Sequence, residues 1–210
     1  MMQIYADNAA TTKMSRTAID AMLPYMETFY GNPSSLHSPG QRAAEKLAEA
    51  REIFARNLNA EPREITFTSG GSEADNQALR SAAALGARKG KKHIISTKFE
   101  HHAILHTLEA LEKEGFTVTL LDIPPDGIVT AEAVKAAIRP DTCLVSVMFA
   151  NNEIGTIQPI PEIGEVCKEA GVLFHTDAVQ AAGHLPIDVK AMHIDMLSLS
   201  AHKFHGPKGV

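Results

Sequence analysis

Between residues 65 and 200, short β-branched apolar runs alternate with longer amphipathic stretches. The runs fall at 65–68, 93–96, 117–121, 143–149, 172–175 and 196–200, and most carry apolar residues on both faces. A strand apolar on both faces has to be covered on both, which requires a mostly parallel sheet with helices above and below. The stretches between, at 72–88, 102–114, 131–138 and 160–170, have the length and periodicity of those helices. The alternation therefore predicts an α/β, doubly wound domain with helices on both faces. Upstream, Ser15 is placed to cap a helix running to about residue 29, with Ile19, Met22, Leu23 and Met26 as its apolar stripe. Gly31-Asn32-Pro33-Ser34-Ser35 breaks that helix. A second helix, 40–57, is expected to turn Ala43, Leu47, Ala50, Ile53 and Phe54 inward.

In such sheets a ligand sits beyond the carboxyl ends of the strands. Polar groups collect there: Ser69-Gly70-Gly71-Ser72, Glu100-His101-His102, Asn151-Asn152-Glu153, Asp177 with Gln180, and Ser200-Ala201-His202-Lys203. Each has an ordinary reading as well as a chemical one. The glycine turn before a helix is either an anion cradle or a tight turn with Ser72 as N-cap. Asp177 is either a carboxylate facing a cation or the N-cap of a following helix. Lys203 is either a desolvated nucleophile or a surface lysine. The pairs His102/His106 and His202/His205, with His175-x-Asp177, raise a metal site as a competitor. No glutamate stands as a base inside a His-pair motif, and the reading taken is that no metal is held.

Composition narrows the field. Twenty Lys and Arg against twenty-five Asp and Glu give a net charge of −5, with no basic block to attract a nucleic acid or an anionic membrane. No apolar run approaches the roughly 18–20 residues that span a bilayer. Met1-Met2-Gln3-Ile4-Tyr5-Ala6-Asp7 lacks the charged head and apolar core of a signal peptide. Two cysteines, Cys143 and Cys167, are too few for a disulfide framework or a zinc ribbon. A cytoplasmic protein is expected.

Taken jointly, an anion cradle, a carboxylate and a nucleophilic lysine around a flat ring describe a pyridoxal 5'-phosphate site. The lysine forms a Schiff base with the aldehyde, and the Asp keeps the pyridine nitrogen protonated.

Six ordered motifs carry a resemblance along the whole chain. They are Ala6-Asp7-Asn8-Ala9-Ala10-Thr11-Thr12, Gly31-Asn32-Pro33-Ser34-Ser35, Thr68-Ser69-Gly70-Gly71-Ser72-Glu73, Asn151-Asn152-Glu153-Ile154-Gly155, His175-Thr176-Asp177-Ala178-Val179-Gln180, and the run from Ser200 to Gly209. The series resembles the cysteine desulfurases of the NifS/IscS type, class V aminotransferase-like enzymes of pyridoxal phosphate fold type I. The resemblance implies Lys203 as the cofactor lysine, Asp177 on the pyridinium nitrogen, and Gln180 on the ring 3′-oxygen. It implies His101 stacked on the ring and moving protons, with Gly71, Ser72, Ser200 and His202 on the phosphate. Asn152 would lie beside the ring and the substrate carboxylate. Gly71-Ser72 replaces the commoner Ala-Thr and keeps the hydroxyl.

The implied reaction takes sulfur from L-cysteine, leaving L-alanine and an enzyme persulfide, for iron–sulfur scaffold proteins or tRNA-thiolating carriers. A homodimer is also implied. Such enzymes are about twice as long, and their nucleophilic cysteine lies on a mobile loop beyond position 210. Residues 1–14 are expected to form an arm that packs with the small C-terminal domain, and 15–210 an incomplete large domain. The ending Gly206-Pro207-Lys208-Gly209-Val210 reads as a cut within a fold, and the chain alone is expected to be inactive. The alternatives are an aminotransferase or selenocysteine-lyase-like enzyme of the same class, a His-rich metal-dependent hydrolase, or a non-catalytic remnant.

Overall fold

The computed structural model describes residues 4–210, so the start of the expected arm and the first residues read against a signal peptide lie outside the described residues. Five parallel strands form one sheet: β1 (His93–Thr97), β2 (Thr117–Leu121), β3 (Thr142–Ser146), β4 (Leu173–Asp177) and β5 (Met196–Ser198). Their order across the sheet is β2-β1-β3-β4-β5. Helices α1 (Arg16–Glu27) and α2 (Ser38–Leu58) precede the sheet. Helix α3 (Gly71–Arg88) leads into β1, and α4 (His102–Lys113), α5 (Ala131–Ala137) and α6 (Ile160–Ala170) run between the strands.

The period of two along each central strand sorts its side chains between two cores. Ile94 and Leu144 face Leu79 of α3 and Ile104, Leu108 and Leu111 of α4. Ile95 and Val145 face the opposite way, onto Ile160 and Ile163 of α6 and Val134 of α5. Each such side chain contributes about 1.5–3 kcal/mol by leaving water, which is why β1 and β3 are buried along their whole length. The expected doubly wound architecture is borne out.

Two expectations fail for one physical reason. Residues 65–68 are extended but form no strand, because a strand needs a ladder partner about 4.8 Å away. An apolar groove of about 910 Å³ separates Phe67 and Thr68 from Met196 and Leu197 of the β5 edge. The segment is held to α2 instead, where Arg51 donates to the Ile65 carbonyl and Phe54 packs edge-on against Phe67 at 6.0 Å. The stripes of α1 and α2 likewise lack a covering layer among the described residues. Leu23 and Met26 are exposed, as are Leu47 and Ile53, and α2 buries only Gly40 and Ala55. No helix among the described residues is long and apolar enough to cross a membrane.

The chain leaves β1 toward β2 on one side and returns to β3 on the other. This reversal opens a crevice at the strands' carboxyl ends, where α/β sheets bind ligands.

Candidate active site

That crevice is a cavity of about 520 Å³. It brings together the nine residues that the resemblance assigns to the cofactor: Gly71, Ser72, His101, Asn152, Asp177, Gln180, Ser200, His202 and Lys203 each line it, whereas Ser69, Gly70, Glu100, His102, Asn151 and Ala201 of the same strand exits do not. Local structure explains each placement.

Gly70 adopts φ 136°, a backbone region that favours glycine, and so turns the chain into α3. No side chain caps this helix, so Ser72 is not the N-cap and its hydroxyl lies in the first turn at the cavity wall. The first-turn N–H groups and the positive end of the helix face the crevice, the ordinary setting for a phosphate. The turn lies against Ser200, whose Oγ is 3.9 Å from where a Cβ on Gly70 would stand.

Asp177 closes β4 and is buried. Turns rather than a helix follow it, so it is no helix N-cap; its Oδ1 accepts the Val179 N–H at 2.9 Å in a two-residue side-chain turn. Burial pushes its carboxyl up, while the Val179 N–H, His101 and Lys203 pull it down. Lys203 ends a 3₁₀ turn, Ala201–Lys203, and is half-buried rather than on the surface. Burial lowers its amine from the usual lysine range, with Asp177 and Asp7 opposing. A lowered amine is more often unprotonated and hence nucleophilic.

His101 is the N-cap of α4 and accepts the Ala103 N–H at Nδ1, 3.1 Å away, which leaves Nε2 free of that bond. Asn152 donates to Glu153 at 2.9 Å, while Asn151 behind it ties the loop down by donating to the Phe99 carbonyl at 3.0 Å.

The competing metal readings lack a ligand set. His102 and His106 stack at 5.3 Å, and no group of three His, Cys, Asp or Glu gathers anywhere among the described residues. His175 sits between two serine hydroxyls, and His202 Nδ1 lies 3.0 Å from Thr11 Oγ1.

The N-terminal segment supplies what sequence reading missed. The Ala9 carbonyl accepts from Gln180 Nε2 at 3.0 Å and from Lys203 Nζ, so a backbone atom of the arm sits between the two. Thr12 fixes this arrangement, its N–H and hydroxyl each donating to the His202 carbonyl at 2.8 Å.

The class V aminotransferase pattern matches residues 4–210. The chain belongs to that family. Class V relatives include the cysteine desulfurase IscS of Clostridium botulinum, 58% identical over 99% of this chain and 52% of its own length. The IscS of Methanosarcina thermophila is 54% identical, over 98% and 51%. Among solved structures, SspA in complex with cysteine superposes with a TM-score of 0.95 at 43% identity, covering 99% of this chain and 59% of that one. A NifS-like protein gives 0.95 at 40% identity, over 99% and 57%. The resemblance to NifS/IscS-type proteins and the fold type I sheet is thus borne out. The chain spans about half the length of the curated relatives it matches.

Two further buried acids stand at or beside this cavity. Asp75 of α3 lines the cavity, and Glu100 is buried just before His101 at the β1 exit. Glu100 Oε1 accepts from Thr97 Oγ1 at 2.7 Å and from the Met148 N–H at 2.9 Å, pinning the β1 exit to the β3 exit. Burial raises its carboxyl from 4.5 to about 8, with Asp177 and Asp75 adding to the rise. The folded state therefore holds a proton that the unfolded chain releases. Stability is full below about pH 4.5 and falls as pH climbs toward 8. Glu100→Gln keeps both accepted bonds and removes the titration. It should gain on the order of 3 kcal/mol over the parent at pH 8 and little at pH 4. Urea unfolding across that range checks this; parallel profiles for the two proteins would show that Glu100 does not titrate as described.

Proposed function

We propose that this chain is the cofactor-binding large domain of a pyridoxal-phosphate-dependent cysteine desulfurase. The observation that carries the reading is the convergence on one cavity of a half-buried lysine, a buried aspartate and an uncapped helix start. These three match the aldehyde, the pyridine nitrogen and the phosphate of pyridoxal phosphate, and the unpartnered Asp75 Oδ1 leaves polar capacity in the same wall.

Lys203 would be the residue that anchors the cofactor's aldehyde carbon. Asp177 would hold a proton on the ring nitrogen, and Gln180 would donate an amide N–H to the 3′-oxygen. Gly71 and Ser72, with Ser200 and His202, hold the phosphate, while Asn152 lies beside the ring and the substrate carboxylate. His101 covers the ring face and moves protons, Nε2 being the nitrogen left free of the Ala103 bond. Bound there, the cofactor supplies an electron-poor ring that accepts electrons released at the substrate α-carbon.

The substrate we assign is L-cysteine. Its C–S bond breaks, the sulfur passes to a protein thiol as a persulfide, and L-alanine leaves with the thiol's proton accounted for on carbon. Neither cysteine here can be that thiol. Cys143 is buried in β3 with Sγ donating to the His93 carbonyl at 3.3 Å. Cys167 is buried in α6, and burial pushes its thiol to about 12. A transferring thiol has to be an accessible thiolate on a mobile element. The acceptor thiol therefore belongs outside residues 1–210. The same reading makes 1–14 an arm and 15–210 the large domain of a cytoplasmic homodimer that delivers sulfur to an iron–sulfur scaffold or another acceptor.

The test supplies L-cysteine and a reductant to the 210-residue chain and to a chain completed to the relatives' length, and measures alanine and sulfide together. The completed chain should turn over and the 210-residue chain should not. Catalytic release of both products by the short chain, lost in Cys143→Ser or Cys167→Ser, would overturn the assignment of the thiol. Amino-group transfer from cysteine to a keto acid, with no sulfide, would favour an aminotransferase.

A further inference from the structure

The cavity wall holds two buried carboxyls where its chemistry needs one charge. Asp75 is 1% exposed and Asp177 is 5% exposed, and both line the crevice. Their placement follows from the two periods of the fold. Asp75 lies one turn after Gly71 on the same face of α3, and His175 and Asp177 share a face of β4.

The groups facing Asp75 offer it no counter-charge. From β4, His175 Nε2 comes no nearer than 3.8 Å to Asp75 Oδ1, beyond hydrogen-bond reach. Its ring nitrogens are engaged by Ser146 Oγ at 2.9 Å and Ser198 Oγ at 3.0 Å. Burial pushes His175 down to about 3, so it stays neutral. From β5, Ser198 offers a hydroxyl that His175 shares. From the β1 exit comes only another acid, Glu100. Asp75 Oδ1 is left without a hydrogen-bond partner among the described residues. Asp177 is differently placed: it accepts the Val179 N–H and faces Lys203 and His101.

Two neighbouring carboxylates shielded from water do not both ionise, and the proton rests on the one with fewer partners. We infer that Asp75 is a positioning residue that keeps the proton of this pair, so that the cavity presents a single carboxylate, on Asp177, to the cation bound there. Burial, with the Asp177 charge adding to it, raises Asp75 to about 8, in agreement with that geometry. Asp75 touches no reacting atom and acts through Asp177. With its proton in place, one negative charge meets one positive ring nitrogen; without it, two carboxylates would compete for the same cation. The inference rests on the pyridoxal phosphate reading of the cavity.

Infrared difference spectra at pH 7 test it on the 210-residue chain. In the unloaded protein, a protonated-carboxyl stretch beside that of Glu100 should be present, and Asp75→Asn should remove it while the Glu100 band stays. Adding pyridoxal phosphate should leave that band in place. Asp75→Ala should weaken cofactor binding about tenfold, and Asp75→Asn should restore it to within about threefold, since the amide mimics a neutral acid. In unmutated protein carrying 13C-carboxyl aspartate, which requires no variant to fold, the band should persist through pH 7 and fade near pH 8. A spectrum in which Asp75→Asn removes no such band, or a band that disappears on loading, would overturn the inference. So would Asp75→Asn binding as poorly as Asp75→Ala. The unloaded spectra judge Asp75 alone; failure of the unmutated protein to bind pyridoxal phosphate would defeat the cofactor reading instead.

Discussion

Lys203→Ala should abolish the borohydride-trapped covalent adduct with pyridoxal phosphate, and Lys208→Ala should leave it intact. Both lysines lie in the same short run after β5, so sequence distance does not separate them. Their surroundings do. Lys203 ends a 3₁₀ turn whose backbone is pinned by Thr12, and its amine enters the cavity to meet the Ala9 carbonyl. Lys208 follows Pro207, is exposed, and does not line the cavity. Burial lowers the Lys203 amine from the usual lysine range, which favours the free base that attacks an aldehyde. Reduction fixes the resulting C=N bond, and peptide mapping by mass spectrometry locates it. The expected effect is all or none: the label sits on the peptide containing Lys203 and vanishes in Lys203→Ala. Label found on Lys208, or retained undiminished in the variant, would remove Lys203 from its assigned role.

Much of this site could be read from residue order alone because parallel strands advertise themselves. Runs such as Ile94-Ile95 and Leu144-Val145 are apolar on both faces, so the polar residues just beyond them stand out against a background that packing would fill otherwise. What stayed hidden was of another kind. The Ala9 carbonyl is a backbone acceptor and leaves no trace in side-chain identity. Asp75 reads as an ordinary polar helix position, although its spacing from Gly71 places it on the cradle's face. Glu100 was visible among the strand-exit polar groups, but its bridging of Thr97 and Met148, far apart in sequence, was not. The fold-level errors share a different origin. Residues 65–68 and the apolar stripes of α1 and α2 satisfy local rules for strand and amphipathic helix. Local rules do not say whether a partner stands opposite, and a ladder or a buried face exists only when one does.

Asp177→Asn should cost a complete enzyme about 10²-fold or more in turnover, the scale on which a preorganised electrostatic stabiliser acts. The substitution isolates charge from shape. Asparagine has nearly the same volume, and its carbonyl can still accept the Val179 N–H that Asp177 Oδ1 accepts at 2.9 Å, so the turn after β4 is preserved. What it cannot do is carry the negative charge that keeps a ring nitrogen protonated, and without that proton the ring withdraws electrons poorly. The pH dependence gives the sign. Burial raises the Asp177 carboxyl, so in the parent protein cofactor affinity should fall as acid protonates it, from a pH above the ordinary aspartate range. In Asp177→Asn that acid limb should be absent and affinity should be uniformly lower, by at least tenfold for the loss of one charge-assisted contact. The parent's acid limb needs no variant to observe, and it separates this role from a merely structural one, because a packing defect would lower affinity without flattening the profile. Near-normal turnover in Asp177→Asn, or an acid limb that survives the substitution, would assign the proton on the ring nitrogen to some other group.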